Sequence, residues 1–157
     1  NIDPEDIRRK LTDRTKAIIA VHLAGQPCDM DAIHSIAHEY GLIVIEDGAH
    51  ALGAVYKGKK IGRLSDMTTF SFHPVKPITT GEGGMIVTDN EEFYKKMALF
   101  RSHGITRDAS MMTMYDGPWF YHNIMKKTAI TATTACILQK NLRLRMRCSL
   151  FWSLLLR

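Results

Sequence analysis

Four side chains, Lys76, Asp47, His50 and Ser71, have the types and surroundings to do chemistry together. Lys76 sits in Phe70-Ser71-Phe72-His73-Pro74-Val75-Lys76-Pro77-Ile78-Thr79-Thr80-Gly81-Glu82-Gly83-Gly84, a stretch with no second lysine, and Asp47 and His50 sit in Glu46-Asp47-Gly48-Ala49-His50-Ala51-Leu52-Gly53-Ala54. A lysine amine can form an imine with an aldehyde and, once displaced, can carry a proton. Burial beside apolar neighbours would favour its neutral form. A carboxylate can keep a pyridine nitrogen protonated, so that the ring accepts electrons released from a substrate carbon. An imidazole can lie against such a ring or reach its phenolic oxygen, and a serine hydroxyl can donate to a phosphate. An acid, an imidazole, a hydroxyl and a lysine at one place are what a pyridoxal 5'-phosphate site requires.

Each residue also has a plainer role open to it. Lysines lie mostly on surfaces, and aspartates at strand ends often cap the next turn. A histidine satisfied in its loop and a serine at a strand end are equally ordinary, and His73 reads as structural. The glycines at 81, 83 and 84 precede a strand, whereas a dinucleotide fingerprint follows one and opens a helix; GxxxxGK[ST] is absent too. A tight turn between strands, with glycines where φ is positive, accounts for them.

The elements around these residues predict an α/β domain. Asp3-Pro4-Glu5-Asp6 carries a cap, a proline at the first helical position and acids in the first turn, so a short helix runs to about Leu11. Ala17–Val21 and Leu42–Ile45 are apolar without alternation, the pattern of strands covered on both faces of a parallel sheet. Between them, Met30, Ile33, Ile36, Ala37 and Tyr40 recur at helical spacing, with Asp29 as cap and Gly41 as stop. This β-α-β unit places Asp47 at the carboxyl edge of a sheet, where ligands of layered α/β domains sit. Met67–Phe72 and Met85–Thr88 read as further strands, and Glu91 to about Phe100 as a helix capped by Asn90.

Bulk properties narrow the alternatives. With 157 residues, 45% hydrophobic and 24% charged, the chain suits one moderate core. No apolar stretch approaches the roughly 20 residues of a membrane span and no secretion signal opens the chain, so a cytoplasmic protein with no membrane partner is expected. Cys28, Cys136 and Cys148 lack disulfide or zinc spacing and read as free thiols. The net charge of +5 is unevenly spread: residues 1–108 carry 14 Lys and Arg against 15 Asp and Glu, and residues 109–157 carry 7 against Asp116 alone. The near-neutral body argues against a nucleic-acid partner. No metal site is suggested.

VHLAGQPCDMDAI (21–33), EDGAHALGA (46–54), FSFHPVKPITTGEGGMIVT (70–88) and LFRSHGITRD (99–108) together closely resemble the DegT/DnrJ-type sugar-nucleotide aminotransferases over residues 1–108. Within that family, the HPVKPITTGEGG and RSHGITRD wording is most similar to the transaminases of pseudaminic acid biosynthesis. The resemblance implies the large domain of a fold-type I pyridoxal-phosphate enzyme, with a mainly parallel sheet between helices, working as a homodimer. By the same resemblance, Lys76 matches the imine-forming lysine, Asp47 the partner of the pyridine nitrogen, His50 a position at the cofactor ring and Ser71 the phosphate-binding serine. Family members that dehydrate sugars carry histidine in place of the lysine, so Lys76 implies transamination.

The reaction so implied moves an amino group from L-glutamate to the C4 ketone of a UDP-linked 4-keto-6-deoxy sugar. The family pattern also implies segments before Asn1 and a small domain after the present end. Past Pro118-Trp119-Phe120-Tyr121 the text departs from the family, where a segment carrying an asparagine to the neighbouring subunit's cofactor belongs. Residues 109–157 therefore read as a divergent basic tail, frame-shifted or poorly specified. Two alternatives follow: a catalytically inactive fragment of this family, and a regulatory or binding protein that uses the basic tail.

Overall fold

The computed structural model describes residues 1–106, 108, 122–123 and 136–139. Helix α1 spans Pro4–Lys10, opened by Asp3, whose carboxylate accepts from the Glu5 N–H, and closed one residue short of the expected end. Strand β1 (Ala17–Val21) leads through a short 3₁₀ turn at Leu23–Gly25 into α2 (Met30–Tyr40). Asp29 caps α2 by accepting from the Ala32 N–H, and Gly41 ends it at φ 64°, a left-handed conformation that glycine adopts without a Cβ penalty. Strand β2 (Ile43–Asp47) runs two residues further than its apolar core suggested, because Glu46 and Asp47 continue the ladder.

A hairpin follows, β3 (Val55–Tyr56) and β4 (Lys59–Lys60), which the sequence reading did not anticipate. Its two-residue turn, Lys57-Gly58, has positive φ at both positions, the twist that a two-residue hairpin needs. Then come β5 (Met67–Ser71), β6 (Gly84–Thr88) and α3 (Glu91–Arg101), capped by Asn90, which accepts from the Glu92 and Phe93 N–H groups. Short β7 (Ile105–Thr106) pairs with β8 (His122–Asn123), and β9 (Cys136–Gln139) lies alongside β6. Within 109–157, only β8 and β9 fall among the described residues, so the rest of the predicted basic tail lies outside them.

The main sheet has the order β1-β2-β5-β6-β9 and is mainly parallel, with one antiparallel neighbour pair, β5 and β6. Both faces are covered, which is why its strands lack alternation. One face buries Ile18, Ala20 and Val44 under Ile33, Ile36 and Ala37 of α2 and Ile7 of α1. The other buries Ile45, Met67 and Ile86 against Met97, Phe93 and Tyr94 of α3. The expected α/β class is therefore observed. Among the described residues no helix is long and apolar enough to cross a membrane, and no group of acids, histidines and cysteines could hold a metal.

Candidate functional site

The parallel register sets the site. Val21 is opposite Asp47 and Asp47 is opposite Thr69, so these three residues and Ser71, two positions beyond Thr69, share one face at the carboxyl edge of β1, β2 and β5. A cleft of about 380 Å³ opens there, lined by Val21, His22, Asp47, Ala49, His50, Ser71, His73, Lys76 and Glu82. All four residues singled out in the sequence thus border one cavity.

Asp47 is 8% exposed. Its Oδ1 accepts from the Ala49 N–H at 3.0 Å, the turn-capping role open to any aspartate at a strand end, and its backbone carbonyl accepts from the His22 N–H at 3.1 Å. The second carboxylate oxygen takes no hydrogen bond among the described residues. A buried carboxylate oxygen without a donor is costly, and a protonated ring nitrogen would satisfy it. The adjoining Gly48 is required by close packing: a Cβ there would come 2.9 Å from the Phe70 ring.

His50 is held in its loop and also faces the cleft, so both readings of it apply. Its Nδ1 accepts from the Ala24 N–H at 3.3 Å, which leaves Nε2 to carry the proton. Ala24 and Gly25 both have positive φ, and a Cβ on Gly25 would approach the His50 carbonyl oxygen to 3.0 Å. The turn after β1 is therefore fitted against the turn after β2.

Lys76 stands in the connection between β5 and β6, residues 72–83, which matches the 73–84 connection left by the strands expected from the sequence to within one residue. Phe72 ties its base: the Phe72 N–H donates to Gly83 at 2.7 Å, and its carbonyl accepts from the Thr80 N–H and the Thr79 hydroxyl. The Lys76 N–H donates to the His73 carbonyl at 2.9 Å, so the lysine sits on a local turn. Its amine has no hydrogen-bond or ion-pair partner among the described residues. The expectation of apolar burial around Lys76 needs correction in one respect: its neighbours Val75 and Ile78 are 79% and 57% exposed, and Lys76 itself is half-buried. Of the three loop glycines only Gly81 has positive φ; Gly84 lies in β6, where a Cβ would press to 3.0 Å from the Phe70 carbonyl oxygen.

Ser71 Oγ accepts a long 3.4 Å hydrogen bond from the His73 N–H, which leaves its hydroxyl hydrogen to donate elsewhere. His73, read from sequence as structural, borders the cleft with Nε2 4.0 Å from Glu82 Oε1. Glu82 and His22 were not singled out at all. A signal for His22 existed: it follows β1 by one position as Gly48 follows β2, so a parallel pairing puts it at the same edge.

A free amine on a tethered loop and a half-satisfied buried carboxylate border one cleft at the carboxyl edge of a mainly parallel sheet, groups whose chemistry fits an aldehyde-bearing, ring-nitrogen cofactor. The profile of the DegT/DnrJ/EryC1/StrS aminotransferase family matches residues 1–146, and the chain belongs to that family. The Bacillus subtilis spore coat polysaccharide biosynthesis protein SpsC is 46% identical over 121 residues, 77% of this chain and 31% of SpsC. Helicobacter pylori PseC, an aminotransferase involved in the biosynthesis of pseudoaminic acid, superimposes with a TM-score of 0.65 at 37% identity, covering 78% of this chain and 33% of PseC. A Streptococcus pneumoniae protein solved in its PLP form superimposes with a TM-score of 0.59 at 33% identity, over 78% of this chain and 36% of that one. The fold is thus that of the fold-type I aminotransferases, a pyridoxal 5'-phosphate-dependent class. The chain spans about a third of the length of these relatives.

Proposed function

We propose that the complete protein carrying this chain is a sugar-nucleotide aminotransferase that moves an amino group from L-glutamate to the C4 ketone of a UDP-linked 4-keto-6-deoxy sugar, as in pseudaminic acid-type glycan biosynthesis. It works in the cytoplasm as a homodimer. The observation that carries this reading is the pairing, across one cleft, of the unpartnered Lys76 amine with the unsatisfied oxygen of Asp47. Family membership supports it, as does the similarity to PseC.

When bound, the cofactor supplies an aldehyde that links to amines and a ring that accepts electrons. Lys76 Nζ would hold the cofactor through its aldehyde and, once freed by the donor's amine, would carry the proton at the substrate carbon. Asp47 would keep the ring nitrogen protonated, Ser71 would donate to the phosphate, and His50 Nε2 would present a donor to the ring's phenolic oxygen. Over both halves the glutamate nitrogen and the ketone oxygen exchange carriers. Water consumed in releasing 2-oxoglutarate is returned when the ketone condenses.

The test is turnover by the complete protein. With L-glutamate and a UDP-linked 4-keto-6-deoxy sugar, mass spectrometry is expected to detect the 4-amino sugar and 2-oxoglutarate in equal amounts, and Lys76→Ala to abolish multiple turnover. Sustained turnover by the alanine variant would overturn the role given to Lys76, and no product from any nucleotide-linked keto-sugar would overturn the substrate class.

A further inference from the structure

On the opposite face of the same strands, touching the cleft lining at His22, lies a buried polar network that the reaction does not use directly. His22 and Glu46 are both fully buried, and Thr68 is 1% exposed. The register explains their meeting: Ala20 pairs with Glu46 and Glu46 with Thr68, so the side chains of Glu46, Thr68 and His22 share a face beneath α2. His22 Nε2 lies 3.0 Å from Glu46 Oε2, and the Thr68 hydroxyl donates to Glu46 Oε1 at 2.9 Å. His22 Nδ1 accepts from the Cys28 N–H at 3.1 Å, so the ring proton is on Nε2 and points at the carboxylate.

Every polar atom of this network has a partner, and its members are joined to the site through the backbone. Glu46 is the residue before Asp47, and the His22 N–H donates to the Asp47 carbonyl at 3.1 Å. Thr68 precedes Thr69, whose carbonyl accepts from the Gly48 N–H at 2.8 Å. The residues on either side of the Asp47 carboxylate are therefore fixed by β1 and β5, and the network fixes those strand ends to each other. A fully satisfied buried network allows one arrangement and penalises the alternatives.

We propose that Glu46, His22 and Thr68 are positioning residues for Asp47, holding its free oxygen where the ring nitrogen of the cofactor binds. This rests on the reading of Asp47 given above. Glu46 serves here as a hydrogen-bond acceptor on both oxygens. A glutamine at that position presents an NH₂ group either to the His22 Nε2–H or to the Thr68 hydroxyl. The first case turns the imidazole's proton toward the Cys28 N–H, so one buried donor is left facing another; the second can be met by rotating the hydroxyl.

The experiment measures cofactor affinity by absorbance titration, the wavelength of the bound cofactor's band at saturation, and the unfolding midpoint of the cofactor-free form. It uses the complete protein and its Glu46→Gln, His22→Ala and Thr68→Val variants. For His22→Ala the cofactor dissociation constant is expected to rise on the order of tenfold, with the band displaced at saturation, and Glu46→Gln, which a rotated Thr68 hydroxyl can accommodate, should shift both readouts in the same direction by less. Thr68→Val, which spares the Glu46–His22 bond, should shift both readouts in the same direction by less. Lower unfolding midpoints with unchanged affinity and an unchanged band would show a structural role only and overturn the proposal. If Glu46→Gln or His22→Ala does not fold, Thr68→Val decides: an unchanged dissociation constant and band overturn it. A wild-type protein that binds no cofactor at Lys76 would instead overturn the underlying reading of the site.

Discussion

At the scale of single residues, the site depends on groups left without a protein partner. On the proposed reading Asp47 combines two roles in one side chain, with one oxygen closing a turn and the other open to a ligand. Asp47→Asn keeps the shape and removes the charge, so the complete protein should bind pyridoxal phosphate about tenfold or more weakly; an unchanged absorbance titration would count against the contact. Gly48→Ala should cost about 1–3 kcal/mol in chemical denaturation, because the new methyl must displace the Phe70 ring. Cys28 is a different case. Its thiol is 1% exposed and donates to the Val21 carbonyl, and burial pushes its pKa up. The reactive thiolate is therefore scarce at neutral pH, so Cys28 should resist iodoacetamide in the native protein and react on unfolding. Rapid native alkylation mapped to Cys28 would contradict this.

At the scale of elements, the sequence was most legible where a period was long enough to read. Helix α2 repeats its apolar residues over eleven positions between a capping aspartate and a stopping glycine, and its observed bounds follow those signals. Helix α3 was equally clear, and Asn90→Ala should destabilise it by ~1 kcal/mol through loss of the two cap hydrogen bonds, measured as a lower denaturation midpoint. Its exposed pairs, Glu91 with Lys95 and Glu92 with Lys96, hold both glutamate carboxyls below their usual range. Because the folded values are the lower ones, their small contribution is present above the unfolded carboxylate range and is lost as pH falls through the folded values. A thermal midpoint that falls less on acidification through that window in a Lys95→Gln, Lys96→Gln background than in the parent would support the pairs; identical profiles would not. The hairpin at 55–60 escaped because two-residue strands carry no period and its turn uses Lys-Gly rather than the more telling Asn-Gly. The length of the Lys76 loop was legible from its flanking strands, but its closure depends on Phe72 hydrogen bonds that no local pattern announces.

At the scale of the whole molecule, the layered α/β order followed from uninterrupted apolar strands, and with it the edge on which Asp47 lies. The four candidate residues could be chosen from type and position, but their convergence on one cleft depends on strand register, which a single sequence does not state. The reverse-face network of His22, Glu46 and Thr68 was hidden for the same reason. Strand β9 adds to the sheet from a segment whose wording gave no strand signal, and its place beside β6 comes from backbone pairing. The charge contrast between residues 1–108 and 109–157 is plain in the sequence, and most of the basic segment lies outside the described residues.

The most direct test of the account is borohydride reduction of the cofactor-loaded complete protein, followed by peptide mapping. The account predicts loss of the absorbance band and a single pyridoxyl-modified peptide, modified at Lys76. A reduced cofactor found instead on another lysine, or on none, would contradict it.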